Sequence, residues 1–99
     1  MAARTENLKQ HLVLSNRCAH EVDLWIEPWG DRIRLRPQAS YHLVGTGPSG
    51  GFFEVELRND DFAVYGWEGS TVEIFDGQHK LWGCPVAVPG TPAIVSEQL

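Results

Sequence analysis

Apolar and polar residues alternate with a period of two along most of the chain, the pattern of half-buried β-strands. Leu12 and Leu14 open a strand over about residues 9–15, and Asn16-Arg17-Cys18-Ala19-His20 reads as a turn or short loop. From Glu21 to Glu27, Val22, Leu24 and Ile26 face one way while Asp23, Trp25 and Glu27 face the other. Pro28-Trp29-Gly30-Asp31 is turn chemistry. Beyond it, Ile33 and Leu35 alternate with Arg32, Arg34 and Arg36. A four-residue loop pairs Ile26 with Ile33 and Leu24 with Leu35 on the buried side of this hairpin. On the wet side it sets Glu27 against Arg32, Trp25 against Arg34 and Asp23 against Arg36. A slip of one residue would bury charge.

A fourth strand is expected at about residues 40–44, with Tyr41 and Leu43 on one face. Gly45-Thr46-Gly47-Pro48-Ser49-Gly50-Gly51 reads as a loop. Phe53, Val55 and Leu57 alternate with Phe52, Glu54 and Glu56 in a fifth strand, and Arg58-Asn59-Asp60-Asp61 is a turn. Phe62 and Val64 carry a sixth strand, Gly66-Trp67-Glu68-Gly69-Ser70 breaks it, and Val72 and Ile74 carry a seventh. Asp76-Gly77 is the strongest hairpin signal, with Gly suited to the positive φ of a type I′ turn. A short eighth strand follows at about residues 78–82. The tail from Cys84 contains Pro85, Pro89 and Pro92 and cannot be a central strand.

Seven or eight short strands predict an all-β fold: a small antiparallel β-sandwich, with a small β-barrel as the alternative. The inward set is Leu12, Leu14, Val22, Leu24, Ile26, Ile33, Leu35, Leu43, Phe53, Val55, Leu57, Phe62, Val64, Val72 and Ile74. The 99 residues suffice for one β domain, with residues 1–8 and 85–99 read as mobile or docked tails. With Tyr left out and Gly counted in, the apolar share is about 50 %, ordinary for a globular chain. The net charge of -5 argues against general nucleic-acid binding. No run approaches the roughly 20 apolar residues of a membrane helix, and the first ten residues carry no apolar signal region. These features point to a bacterial cytoplasmic protein with two reduced thiols, Cys18 and Cys84.

Candidate chemistry is sparse. Gly45, Gly47 and Gly50 spell G-x-G-x-x-G, but a strand follows where a phosphate loop needs a helix, and no Lys is present. Cys18, His20, His79 and Cys84 supply the inventory of a tetrahedral zinc site, in spacings unlike the usual knuckles. His11 and His42 stand alone in their strands. Asn59-Asp60-Asp61 lacks the ligand spacing of a calcium loop. No serine has a nucleophile-elbow context, so no catalytic residue and no cofactor is assigned.

The aromatic residues are the main lead. By strand parity Trp25, Phe52, Tyr65, Trp67 and Phe75 oppose the main apolar face, and Trp29 sits on a tight turn. A sandwich's outer face is ordinarily polar, so these six form a candidate recognition or dimer surface. The expectation is a non-catalytic module working through a protein partner or a homodimer. The alternative is a small-molecule or zinc-binding domain.

The run Leu24-Trp25-Ile26-Glu27-Pro28-Trp29-Gly30-Asp31 with Leu35-x-Pro37 resembles small uncharacterised bacterial proteins that carry an E-P-W-G turn. Asn16-Arg17, Leu24-Trp25-Ile26 and Leu35-x-Pro37, in that order, are also similar to the von Hippel–Lindau β domain, over about a third of the chain. That resemblance implies a prealbumin-like sandwich and aligns Trp25 with the family's hydroxyproline-pocket tryptophan. The family's pocket Tyr has no counterpart between residues 28 and 35 here, nor has its His-x-Trp near residues 51–57.

Overall fold

A computed structural model describes residues 7–84 and 86–90 of the chain. Eight strands follow one another: β1 (Asn7–Asn16), β2 (Val22–Glu27), β3 (Asp31–Leu35), β4 (Ala39–Pro48), β5 (Glu54–Leu57), β6 (Asp61–Tyr65), β7 (Thr71–Asp76) and β8 (His79–Cys84). They form two four-stranded sheets, ordered β1-β4-β7-β8 and β3-β2-β6-β5. The expected sandwich is therefore present and the barrel is not. All pairings are antiparallel except β2 with β6, which run parallel.

The core is what the alternation pattern selects. Leu24, Ile26, Leu35, Leu43, Val64, Val72 and Ile74 are essentially inaccessible to water, joined by Tyr41. Burying each of the Leu and Ile side chains contributes about 1.5–3 kcal/mol. The Tyr41 hydroxyl is satisfied inside the fold, accepting from the Arg36 backbone N–H at 2.8 Å.

The β2–β3 hairpin keeps the expected faces but is shifted by two residues. The observed partners are Val22 with Leu35, Asp23 with Arg34, Leu24 with Ile33, Trp25 with Arg32 and Ile26 with Asp31. The reason lies in the turn. Gly30 adopts φ 79°, and its N–H donates to the Ile26 carbonyl at 2.8 Å, so the loop closes over residues 27–30. A two-residue shift preserves the side-chain period, so the apolar set still points inward. The wet face still pairs charge with charge: Arg34 with Asp23 at 3.3 Å, and the Arg32 guanidinium 5.8 Å from the centroid of the Trp25 ring.

The glycine-rich run is not a loop throughout. β4 continues through Gly45, Thr46 and Gly47 to Pro48, paired with β1 on one side and, as far as Thr46, with β7 on the other. Glycine is needed here for space. A Cβ on Gly45 would lie 2.7 Å from both the Phe53 ring and the Trp67 ring, and one on Gly47 would lie 2.7 Å from the Ser70 Cα. A Cβ on Gly51 would fall on the Trp67 ring itself. The run is thus a slot for Trp67, which meets Phe53 edge-on with centroids 5.5 Å apart.

At the β7–β8 turn Asp76 pairs with His79, so Gly77 and Gln78 are the central residues. Only Gly77 has positive φ, 63°, which is the type II′ pattern rather than the expected I′. The tail after Cys84 is partly docked: Gly69 N–H donates to the Val88 carbonyl, and Val88 N–H to the Ser70 carbonyl, both at 2.9 Å. Residues 1–6, 85 and 91–99 of the expected tails lie outside the described residues.

Candidate functional site

The six aromatic residues do not share one surface. Trp67 is buried at 8 % exposure, because the glycines of β4 and Gly51 leave it room, and its indole N–H donates to the Pro48 carbonyl at 2.9 Å. Trp25 and Tyr65 do lie on the outer face of the β3-β2-β6-β5 sheet. The Trp25 indole donates to Asp61 at 3.0 Å and the Tyr65 hydroxyl to Glu56 at 3.0 Å. Phe75 pairs with His42 in the other sheet. Trp29 folds back onto the core, its indole donating to the Val86 carbonyl at 3.0 Å. Phe52 alone is widely exposed, at 69 %. Trp67 departs from the expected outer face because residues 66–70 turn between strands, where a period of two does not apply.

The four candidate zinc ligands do not assemble. Among the described residues no three His, Cys, Asp or Glu side chains converge on a metal position. Cys18 and His20 lie exposed on the β1–β2 connection, where His20 contacts the Glu21 carbonyl through Nδ1 at 3.0 Å. His79 and Cys84 sit at opposite ends of β8, and Cys84 Sγ turns to the Val86 carbonyl. Both cysteines are free. By contrast, His11 and His42, which the sequence leaves isolated, are joined by the β1–β4 register: His11 Nδ1 and His42 Nε2 are 2.8 Å apart. Their meeting depends on which strands pair, and strand order is not written in local alternation.

The two lateral sides of the sandwich differ. Where β3 faces β8 the layers are fastened. Trp82 donates its indole N–H to Asp31 at 2.7 Å and packs edge-on against Trp29, centroids 5.5 Å apart. Arg36 pairs with Asp76 across the same side, and that hydrogen bond is the main reason the guanidinium stays above its ordinary pKa.

The side where β1 faces β5 is open. By register Leu8, Val55 and Leu57 belong to the inner faces, yet they are 47 %, 40 % and 81 % exposed. Val55 and Leu57 thus depart from the expected core. The cause is the four-residue length of β5 and its place at the sheet edge, where β1 does not cover it. Leu12, Leu14 and Phe62 behind them are half-buried.

The two edges run in the same direction. Gln10 of β1 donates to the Gly51 carbonyl just before β5. At the far ends, Ser15 and Asn16 line a cleft of about 400 Å³ together with Leu57 and Arg58. A second, shallow groove of about 670 Å³ lies over the glycine-rich segment, between Phe52, Glu54, Trp67 and Glu68.

Charge separates the two open edges. β1 directs Lys9 and His11 to the outer face of its sheet, and β5 directs Glu54 and Glu56 to the outer face of the other. Glu56 is engaged by Arg58 at 3.2 Å, whereas Lys9 and Glu54 have no ion-pair partner among the described residues. No helix of the described residues is long and apolar enough to cross a membrane. No family model, curated protein or solved structure matches this chain.

Proposed function

We propose that this protein is a non-catalytic module that works by self-association, through the open side formed by β1 and β5. The observation that carries the reading is the contrast between its two lateral sides. One is fastened by Trp29, Trp82, Asp31 and Arg36–Asp76. The other leaves Leu8, Val55 and Leu57 uncovered beside strand edges with no pairing partner among the described residues. Unpaired edges recruit further strands through their free N–H and C=O groups.

Charge selects how two copies meet. A two-fold axis perpendicular to the sheets would set β5 against β5 and oppose Glu54 and Glu56 with their equals, which is unfavourable. A two-fold axis along the strands sets β1 of one copy beside β5 of the other, twice, as an isologous contact. With heights set by Gln10 beside Gly51 and by Asn16 beside Leu57, the outer faces then bring His11 and Val13 beside Glu54, and the inner faces join Leu12 and Leu14 to Val55 and Leu57. Each sheet becomes continuous with the other sheet of the second copy. Because β5 offers only four residues, the dimer is concentration dependent.

Sedimentation velocity over a concentration series tests the reading. The wild-type chain should show a dimer that dissociates on dilution. Leu57→Glu should remain monomeric with an unchanged far-ultraviolet circular dichroism spectrum. A wild-type chain that stays monomeric at millimolar concentration, or a Leu57→Glu variant that dimerises as well as wild type, refutes it.

A further inference from the structure

A second feature lies on the outer face of the β1-β4-β7-β8 sheet. In the antiparallel β1–β4 ladder His11 is opposite Val44 and Val13 is opposite His42, so the two histidines are diagonal neighbours. Their rings are 4.9 Å apart between centroids and inclined by 33°, with His11 Nδ1 and His42 Nε2 at 2.8 Å. A contact of this length needs one nitrogen to donate and the other to accept, so at least one imidazole lone pair is held pointing at its neighbour. Val13, Val44 and Phe75 flank the couple by register. His11 is exposed.

We propose that this couple is a chelating site for one divalent transition-metal ion, with His11 binding through Nδ1 and His42 through Nε2. Neutral imidazole is a common ligand for copper, nickel and zinc. At metal–nitrogen bonds of about 2.0–2.1 Å, the observed 2.8 Å separation subtends an angle of roughly 85–90°. That is the angle between adjacent ligands of a tetragonal ion. Cu²⁺ binds most tightly in the general order of divalent ions.

Binding requires each ring to swing by roughly 45°, so that the two lone pairs converge on the ion instead of facing each other. The proton now shared between Nδ1 and Nε2 moves through solvent to the remote nitrogen of its own ring, and two metal-bound waters leave. No electron is transferred. The remaining coordination positions keep water, since no third His, Cys, Asp or Glu of the described residues reaches the ion.

The test uses Cu²⁺ alone as the probe on the full chain. Titration calorimetry should give one ion per chain, and paramagnetic broadening of amide resonances should centre on His11 and His42. His11→Gln and His42→Gln should each weaken binding more than tenfold without altering the circular dichroism spectrum. A readout that needs no variant is carbethoxylation of the wild-type histidines: Cu²⁺ should protect His11 and His42 and leave His20 and His79 reactive. Broadening centred on Cys18, His20 or His79, equal protection of all four histidines, or unchanged affinity in His11→Gln would each overturn the proposal.

Discussion

Replacing Asn16 by Ala should remove a polar clip that holds one end of the sandwich together. The residue is only 3 % exposed, at the last position of β1. Its Nδ2 donates to the carbonyls of His20 and Leu35 at 3.0 Å each and of Arg36 at 3.1 Å, while Oδ1 accepts from the Cys18 N–H at 2.9 Å. One side chain thus ties β1 to the β1–β2 connection and to the end of β3. A typical hydrogen bond contributes a net of about 0.5–1.5 kcal/mol, and a buried group left without its partner costs about 1–3 kcal/mol. The bond to Leu35 is fully buried, whereas the other three are partly open to solvent and water can replace them. One full penalty plus partial losses gives about 2–4 kcal/mol. That is a large part of the roughly 5–15 kcal/mol that stabilises a typical domain. Urea unfolding followed by tryptophan fluorescence measures it, as a lower midpoint at unchanged slope. Ser15→Ala is the control, because its hydroxyl contact with Ser40 is exposed and should cost less than about 0.5 kcal/mol. A loss below about 0.5 kcal/mol for Asn16→Ala would refute the reasoning.

Three further outcomes are expected. Gly47→Ala should destabilise by about 2 kcal/mol or more through overpacking, since its Cβ would lie 2.7 Å from the Ser70 backbone, which cannot rotate away; thermal unfolding reads this directly. Trp82→Phe keeps most of the ring but loses the N–H bond to Asp31, so it should cost about 1–2 kcal/mol, and Asp31→Asn in the same background should then add little. Leu24→Ala should cost about 2–5 kcal/mol whereas Leu57→Ala should stay within about 0.5 kcal/mol, because the first side chain is fully buried and the second is 81 % exposed; equal losses by urea unfolding would contradict the assignment of β5 as an uncovered edge.

The strands were legible because burial follows a period of two wherever one face of a sheet is covered. Val22, Leu24 and Ile26 of β2 and Val72 and Ile74 of β7 were found this way. The same rule misplaced Val55 and Leu57. Their parity is inward, but parity does not say whether the opposite sheet extends far enough to cover them. Gly45 and Gly47 suggest a loop because glycine disfavours strands in general, whereas here close approach to Trp67 and Ser70 requires it. The hairpin register differs by two residues from the expected one, since alternation leaves even shifts undecided and only the turn geometry at Gly30 settles them. The His11–His42 couple and the contrast between the lateral sides both follow from strand order, which no local pattern encodes.

The most direct test of self-association is like and opposite charge placed across the two open edges, read by sedimentation equilibrium. Val13→Glu sets like charges against Glu54 in both copies of the β1–β5 contact, and Val13→Lys combined with Glu54→Lys does the same with opposite sign. Each variant alone should be monomeric at concentrations where the wild-type chain is a dimer. An equimolar mixture of the two should recover a dimer, because both contacts in the mixed pair join opposite charges. A mixture as monomeric as its components, or single variants that dimerise like the wild type, would contradict the account.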